Sequence, residues 1–178
     1  IAARLARDGR WDAALIGLPP ARMPFPGLAA RLFPALARML FVNPFTAMIF
    51  AQMASSRGEV ARFLKKSTGS RIDDMGIDLY HRLFRTSDHC AGAIGMMANW
   101  DLDTRSASLP GLTGRTLLIH GGRDAMVPAD SVERAANLIP GAELSVIPDL
   151  GHLAHEEAPD RIAEMILAFA ATSPAVAA

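Results

Sequence analysis

Two residues in the last third of the chain could do chemistry together. Asp124 closes the segment Leu117-Leu118-Ile119-His120-Gly121-Gly122-Arg123-Asp124. His152 closes the segment Leu144-Ser145-Val146-Ile147-Pro148-Asp149-Leu150-Gly151-His152. Each follows a short apolar run that ends in a turn, and a helix-period segment separates them. Their spacing, 152 − 124 = 28 residues, fits one helix plus one strand. In a parallel sheet, adjacent strands deliver both turns to one rim, where catalytic groups gather. An imidazole hydrogen-bonded to a carboxylate has its tautomer fixed, and its other nitrogen can then accept a proton from a nucleophile. Alone, Asp124 reads equally well as a turn or capping aspartate, and His152 as a loop histidine. The pairing favours the acid–base reading.

The elements that must position them follow from pattern. Residues 12–18 read as a short buried strand ended by Pro19-Pro20, and residues 115–120 and 143–147 as two more. Residues 129–139 read as a helix with Val132, Ala135, Ala136 and Ile139 facing inward, started by Pro128 and stopped by Pro140-Gly141. A last helix, 159–171, has Pro159 in its first turn and Ile162, Met165, Ile166 and Phe169 inward. Gly121 and Gly122 are expected to allow a tight turn before Asp124. Strand–helix–strand–helix order implies an α/β architecture with a parallel, helix-flanked sheet.

Between the first and second strands the texture changes. Residues 20–110 are rich in Pro, Met and Phe, and seven of the nine Met lie there. Leu28, Leu32, Leu36 and Met39 or Leu40 share one helical face, and so do Ile77, Tyr80 and Phe84. Ser87 or Asp88 can cap a helix from His89 to Asn99. This stretch reads as a helical insertion, a cap or lid, between two strands of a core made of residues 1–19 and 111–178. Residues 1–9 read as a helix already under way at Ile1, and the chain reads as the C-terminal piece of something longer or as a truncated open reading frame. The Ala-rich tail, 170–178, is expected to fray.

The bulk numbers exclude several classes. The 178 residues suit one domain with an insertion, and 51% apolar residues can form a core. Eighteen basic residues balance eighteen acidic ones, giving no electrostatic case for nucleic acid. The most apolar stretch, 39–53, is broken by Asn43 and Pro44 and is shorter than the roughly 20 residues of a membrane span. With one cysteine, Cys90, and no signal peptide, a reducing, cytoplasmic setting is expected. His81 and His89 have no metal-ligand spacing with a Cys or carboxylate, so no metal site and no cofactor are predicted. His120 reads as a packed strand end, His155 as a helix-start residue near Glu156 and Glu157, and Arg123 as a solvated side chain.

The motifs Gly-Gly-Arg-Asp-Ala-Met-Val-Pro (121–128) and Gly-His-Leu-Ala-His-Glu-Glu-Ala-Pro (151–159) resemble the acid and histidine motifs of the α/β-hydrolase fold. Pro24-Phe25-Pro26-Gly27-Leu28, Phe41-Val42-Asn43-Pro44-Phe45 and Met97-Ala98-Asn99-Trp100-Asp101-Leu102 resemble the cap of the magnesium-chelatase accessory proteins of bacteriochlorophyll biosynthesis. The resemblance covers essentially the whole chain, aligned to the family's C-terminal part. It implies a triad of nucleophile, Asp124 and His152 for ester or acyl hydrolysis. It also implies a small apolar ester or a tetrapyrrole-like ligand under the cap, and magnesium chelatase as a possible partner.

The nucleophile elbow of that fold, Gly-x-Ser-x-Gly, is not in this chain: no serine has glycines at the required spacing. Asp88-His89-Cys90-Ala91-Gly92 imitates an elbow with Cys90 as nucleophile, but an elbow needs an apolar strand before it. Residues 78–87 read instead as a polar-faced helix, and Cys90 reads as a small buried side chain. Three further readings stand beside the enzyme: a non-catalytic tetrapyrrole-binding or chelatase-accessory module, a fragment of a generic carboxylic-ester hydrolase, and a non-functional, poorly soluble fragment whose sheet exposes an unpaired edge.

Overall fold

A computed structural model describes residues 14–18, 45, 55–99, 102–112 and 114–172. Three strands form a parallel sheet in the order β1-β2-β3 among these residues. They are β1 (Leu15–Gly17), β2 (Thr116–Gly121) and β3 (Glu143–Ile147). Ile16 pairs with Leu117, and Leu118 with Leu144. Strand β2 is central among the described strands and wholly buried, which explains the apolar run Leu117-Leu118-Ile119: a strand covered on both faces has no solvent-facing side to show.

The pleat of β2 splits the core in two. Leu118 packs with Val127, Val132, Ala135 and Ile139, so helix α5 (Ala129–Leu138) covers that face. Leu117 and Ile119 point the other way, against Ile147, Leu150, Ile162 and Phe169. Short helix α6 (Ala154–Glu157) and α7 (Pro159–Ala171) cover that second face. Each fully buried aliphatic side chain contributes roughly 1.5–3 kcal/mol relative to exposure. The Arg115 guanidinium lies 4.1 Å over the Phe169 ring and donates to the Phe169 carbonyl, tying the start of β2 to the end of α7.

Between β1 and β2 the described residues hold helices α1 (Arg57–Thr68), α2 (Asp74–Phe84), α3 (Ser87–Ala98) and α4 (Leu102–Ala107), then a 3-10 turn at Leu109–Gly111. Ser56 caps α1 through the Glu59 N–H, and Asp73 caps α2 through the Gly76 N–H. Val60 and Leu64 of α1 form a third, smaller core with Ile72, Tyr80, Phe84 and Leu153. Leu153 is the residue after His152, so this helical segment packs directly behind the histidine turn.

The expected strands at 115–120 and 143–147 and the helices at 129–139 and 159–171 match to within a residue, while the strand expected over 12–18 is confined to Leu15–Gly17, with residues 12 and 13 outside the described ones. The α3 boundary differs: the helix starts at Ser87, and the Thr86 carbonyl takes the Cys90 N–H, so neither Ser87 nor Asp88 is its cap. The 1–9 helix, the 28–40 face, the motifs at 24–28 and 41–44, and the tail beyond 172 lie outside the described residues.

Candidate active site

Both turns extend the β2–β3 ladder past its strand ends. The Gly122 N–H donates to the Ile147 carbonyl at 2.7 Å, and the Arg123 N–H to the Leu150 carbonyl at 2.9 Å. The Asp124 N–H turns back onto the Gly121 carbonyl at 3.0 Å. The backbone thereby sets Asp124 and His152 side by side. Close approach, rather than a special φ, is what the glycines supply. A Cβ on Gly121 would lie 2.2 Å from the Gly151 carbonyl oxygen. The tight turn expected at Gly121 and Gly122 forms, closed by the Asp124 N–H, without positive φ at either glycine; among the described residues only Gly69 and Gly141 have it.

The Asp124 side chain is fully buried, and both oxygens are used. Oδ1 accepts the N–H groups of Met126 at 2.7 Å and Val127 at 2.9 Å, and Oδ2 meets His152 Nδ1 at 2.9 Å. Burial alone would raise its pKa. The His152 bond and the two backbone N–H groups outweigh that and hold the carboxyl below its ordinary range, so it is a carboxylate at neutral pH. His152 is 21% exposed, and with Nδ1 protonated toward Asp124 its Nε2 carries the free lone pair.

A second imidazole stands beside the same acid. His120, at the end of β2, is 2% exposed, and its Nδ1 lies 3.8 Å from Asp124 Oδ2 without a hydrogen-bond partner. Burial lowers the His120 pKa against the opposing pull of Asp124, with His152 adding to the fall. The packed reading of this residue holds, and its neutral ring avoids placing a cation against His152.

Three features escaped pattern reading. The Thr68 carbonyl at the end of α1 accepts both the Ala125 N–H, at 3.4 Å, and the His152 N–H, at 2.8 Å. Ser70 Oγ, buried, accepts the Leu153 N–H at 2.9 Å. Glu157 binds Gly151 and Arg123 at once. Arg123 is therefore not a solvated side chain: its Nη2 sits 3.0 Å from the buried Glu157 carboxylate. Further out, the Tyr80 hydroxyl donates to Glu156 at 2.7 Å; burial, and then that bond, push its pKa well up. Only the Thr68-Gly69-Ser70 string, a helix end followed by glycine, hinted at any of this, and it reads as an ordinary C-cap.

Cys90 is buried in the first turn of α3. Its Sγ donates to the Phe84 carbonyl at 3.3 Å, and burial pushes the thiol pKa up. A helix precedes it rather than a strand, so it is no elbow nucleophile. His155 Nε2 lies 3.6 Å from Glu156 in α6. Among the described residues, no three His, Cys, Asp or Glu are grouped to hold a metal ion, and no helix is long and apolar enough to cross a membrane. A crevice of about 340 Å³ lined by Glu133, Ala136, Asn137, Ala142 and Leu144 opens at the other end of β3, away from the acid and the histidine.

Parallel strands with helices on both faces, and an acid and a histidine on consecutive strand-end turns, define the α/β-hydrolase fold, and the comparisons agree. The family model for the alpha/beta hydrolase fold matches residues 87–159. An α/β-hydrolase enzyme from a Medee basin deep-sea metagenome library superimposes with a TM-score of 0.68 at 15% identity, over 97% of this chain and 62% of its own. A thermophilic esterase from Thermogutta terrifontis does so with a TM-score of 0.63 at 23% identity, over 94% of this chain and 58% of its own. The chain has the α/β-hydrolase fold. Among curated proteins it is similar to the magnesium-chelatase 30 kDa subunit of Rhodobacter capsulatus, 39% identical over 153 residues that make up 86% of this chain. It spans about half, 53%, of that relative's length.

Proposed function

We propose that Asp124 and His152 are the acid and base of a Ser-His-Asp triad for ester or acyl hydrolysis. The nucleophilic serine would be carried by a part of the protein outside these residues. The observation that carries the reading is the 2.9 Å contact between His152 Nδ1 and a fully buried Asp124 carboxylate. The relative's greater length leaves room for an elbow elsewhere. His152 Nε2 takes the serine proton as Oγ attacks the carbonyl carbon. The same nitrogen then protonates the leaving alcohol, and an acyl-enzyme remains. Water, activated by the same nitrogen, releases the acid. Asp124 keeps Nδ1 protonated and stabilises the imidazolium as it forms. Residues 20–110 act as a helical cap, and their Met-rich composition suits a bulky apolar ester.

Asp124→Asn and His152→Ala, made in a protein extended upstream to include a Gly-x-Ser-x-Gly, test this. In such triads loss of the acid lowers turnover by about 10⁴. Turnover of a p-nitrophenyl ester that stays within a few-fold of the parent in both variants overturns the assignment.

The relative is named as a magnesium-chelatase subunit, which supports a second reading in which this protein contacts magnesium chelatase; on that reading it is a non-catalytic accessory module that holds a tetrapyrrole. Titration with a magnesium porphyrin, followed by absorbance, separates the two. A saturable spectral shift at micromolar ligand, unaffected by Asp124→Asn, supports the accessory role; no shift argues against it.

A further inference from the structure

Glu157 is a buried carboxylate, with its side chain 4% exposed, and it accepts three hydrogen bonds. Oε1 accepts the Gly151 N–H at 2.5 Å. Oε2 accepts the Arg71 N–H at 2.9 Å and Arg123 Nη2 at 3.0 Å. The three donors come from three separate segments. Gly151 precedes His152, Arg123 precedes Asp124, and Arg71 follows the Thr68-Gly69-Ser70 turn. That turn binds the same two places through the backbone, since the Thr68 carbonyl takes the N–H groups of Ala125 and His152. A buried carboxylate is costly unless its oxygens are satisfied, so the three donors must stay converged on it. Oε2, with two donors, is fully engaged, and Oε1 is held by the histidine turn.

We propose that Glu157 is the positioning residue of the site: it fixes the His152–Asp124 separation by binding the histidine turn, the acid turn and the end of helix α1 together. Its effect on turnover rests on the catalytic reading of the pair. Its effect on the His152–Asp124 hydrogen bond does not. Through Arg71 and Thr68 the same contacts make the helical segment part of the site's frame, so a movement of α1 changes the geometry of the acid–base pair.

The test uses Glu157→Gln, Arg123→Met and the double variant, in this chain and in the upstream-extended protein. Glutamine keeps one acceptor oxygen but turns an N–H2 toward donors, so it cannot serve Gly151 together with Arg71 and Arg123. Arg123→Met leaves Glu157 bound to Gly151 and Arg71 but cuts the link to the acid turn. The downfield proton resonance of His152 Nδ1–H reports the hydrogen bond directly. We expect it to broaden or vanish in both single variants while a cooperative thermal transition is kept. We expect kcat for the p-nitrophenyl ester to fall about tenfold to a hundredfold, with KM within about twofold, as for a misplaced catalytic group. The double variant should be no worse than the more damaging single one, because both cut one bridge. If Glu157→Gln does not fold, Arg123→Met and its resonance decide the matter. An unchanged resonance in a folded variant, or effects that multiply in the double variant, overturns the proposal. An extended parent with no ester hydrolysis, in which the variants still lose the resonance, instead refutes the catalytic reading and leaves the positioning role standing.

Discussion

The Thr68 carbonyl oxygen accepts the His152 backbone N–H at 2.8 Å, so a helix end in the segment between β1 and β2 holds the histidine turn in place. The adjoining Gly69 makes this possible. It adopts φ 70°, in the left-handed region, and lies so close to the acid turn that a Cβ there would fall 1.8 Å from the Arg123 carbonyl oxygen.

Gly69→Ala should therefore destabilise the fold by roughly 2–4 kcal/mol, combining left-handed strain with a backbone clash. Urea unfolding followed by circular dichroism measures this. A loss below about 0.5 kcal/mol would mean that the turn moves freely off the site.

His120 gives the stability a pH dependence of known sign. Its pKa in the fold is lowered from 6.5, chiefly by burial, so the unfolded chain binds the proton more readily. The stabilisation is complete above pH 6.5 and is lost as pH falls from 6.5 through the lower folded value. Asp124, also lowered, adds a second loss as pH falls below 3.8 through its own folded value. Thermal melts of the parent should show the upper step, and His120→Asn should flatten it; a variant that keeps the full step assigns it to another group.

Cys90 should react slowly with a thiol reagent in the native state and rapidly in urea, since burial both hides the sulfur and keeps it protonated. Cys90→Ala should leave ester hydrolysis by the extended protein unchanged. Native labelling at the rate of the unfolded chain, or a large loss of turnover in Cys90→Ala, would contradict its role as packing.

Ile119, on the face of β2 toward α7, is 1% exposed. Ile119→Ala should cost about 2–5 kcal/mol through lost burial and the cavity left behind. Equilibrium denaturation checks it, and a cost under about 1 kcal/mol would show that the α7 layer collapses onto the gap.

Much of this was legible in the residues. The apolar runs of β2 and β3, the inward stripe of Val132, Ala135 and Ile139, and Pro159 at the start of α7 are local signals, and the elements formed where those signals lie. Asp124 and His152 stood out because chain order alone puts consecutive strand-end turns on one rim of a parallel sheet. Arg123 was misread because nothing in its neighbours reveals Glu157, 157 − 123 = 34 residues away, and a charged side chain in a turn is usually solvated. Glu157 itself sits among charged neighbours, with no periodicity to mark it as buried.

The sequence by itself determined the α/β architecture, the parallel order and the identity of the acid–histidine pair, since each depends on short-range pattern and on strand order. Only the tertiary structure decided what braces that pair. The bonds of Thr68, Ser70 and Glu157 join segments up to 86 residues apart, where glycines such as Gly69 and Gly151 let backbones approach with no room for a Cβ. Such contacts depend on convergence in space and leave no repeating pattern along the chain.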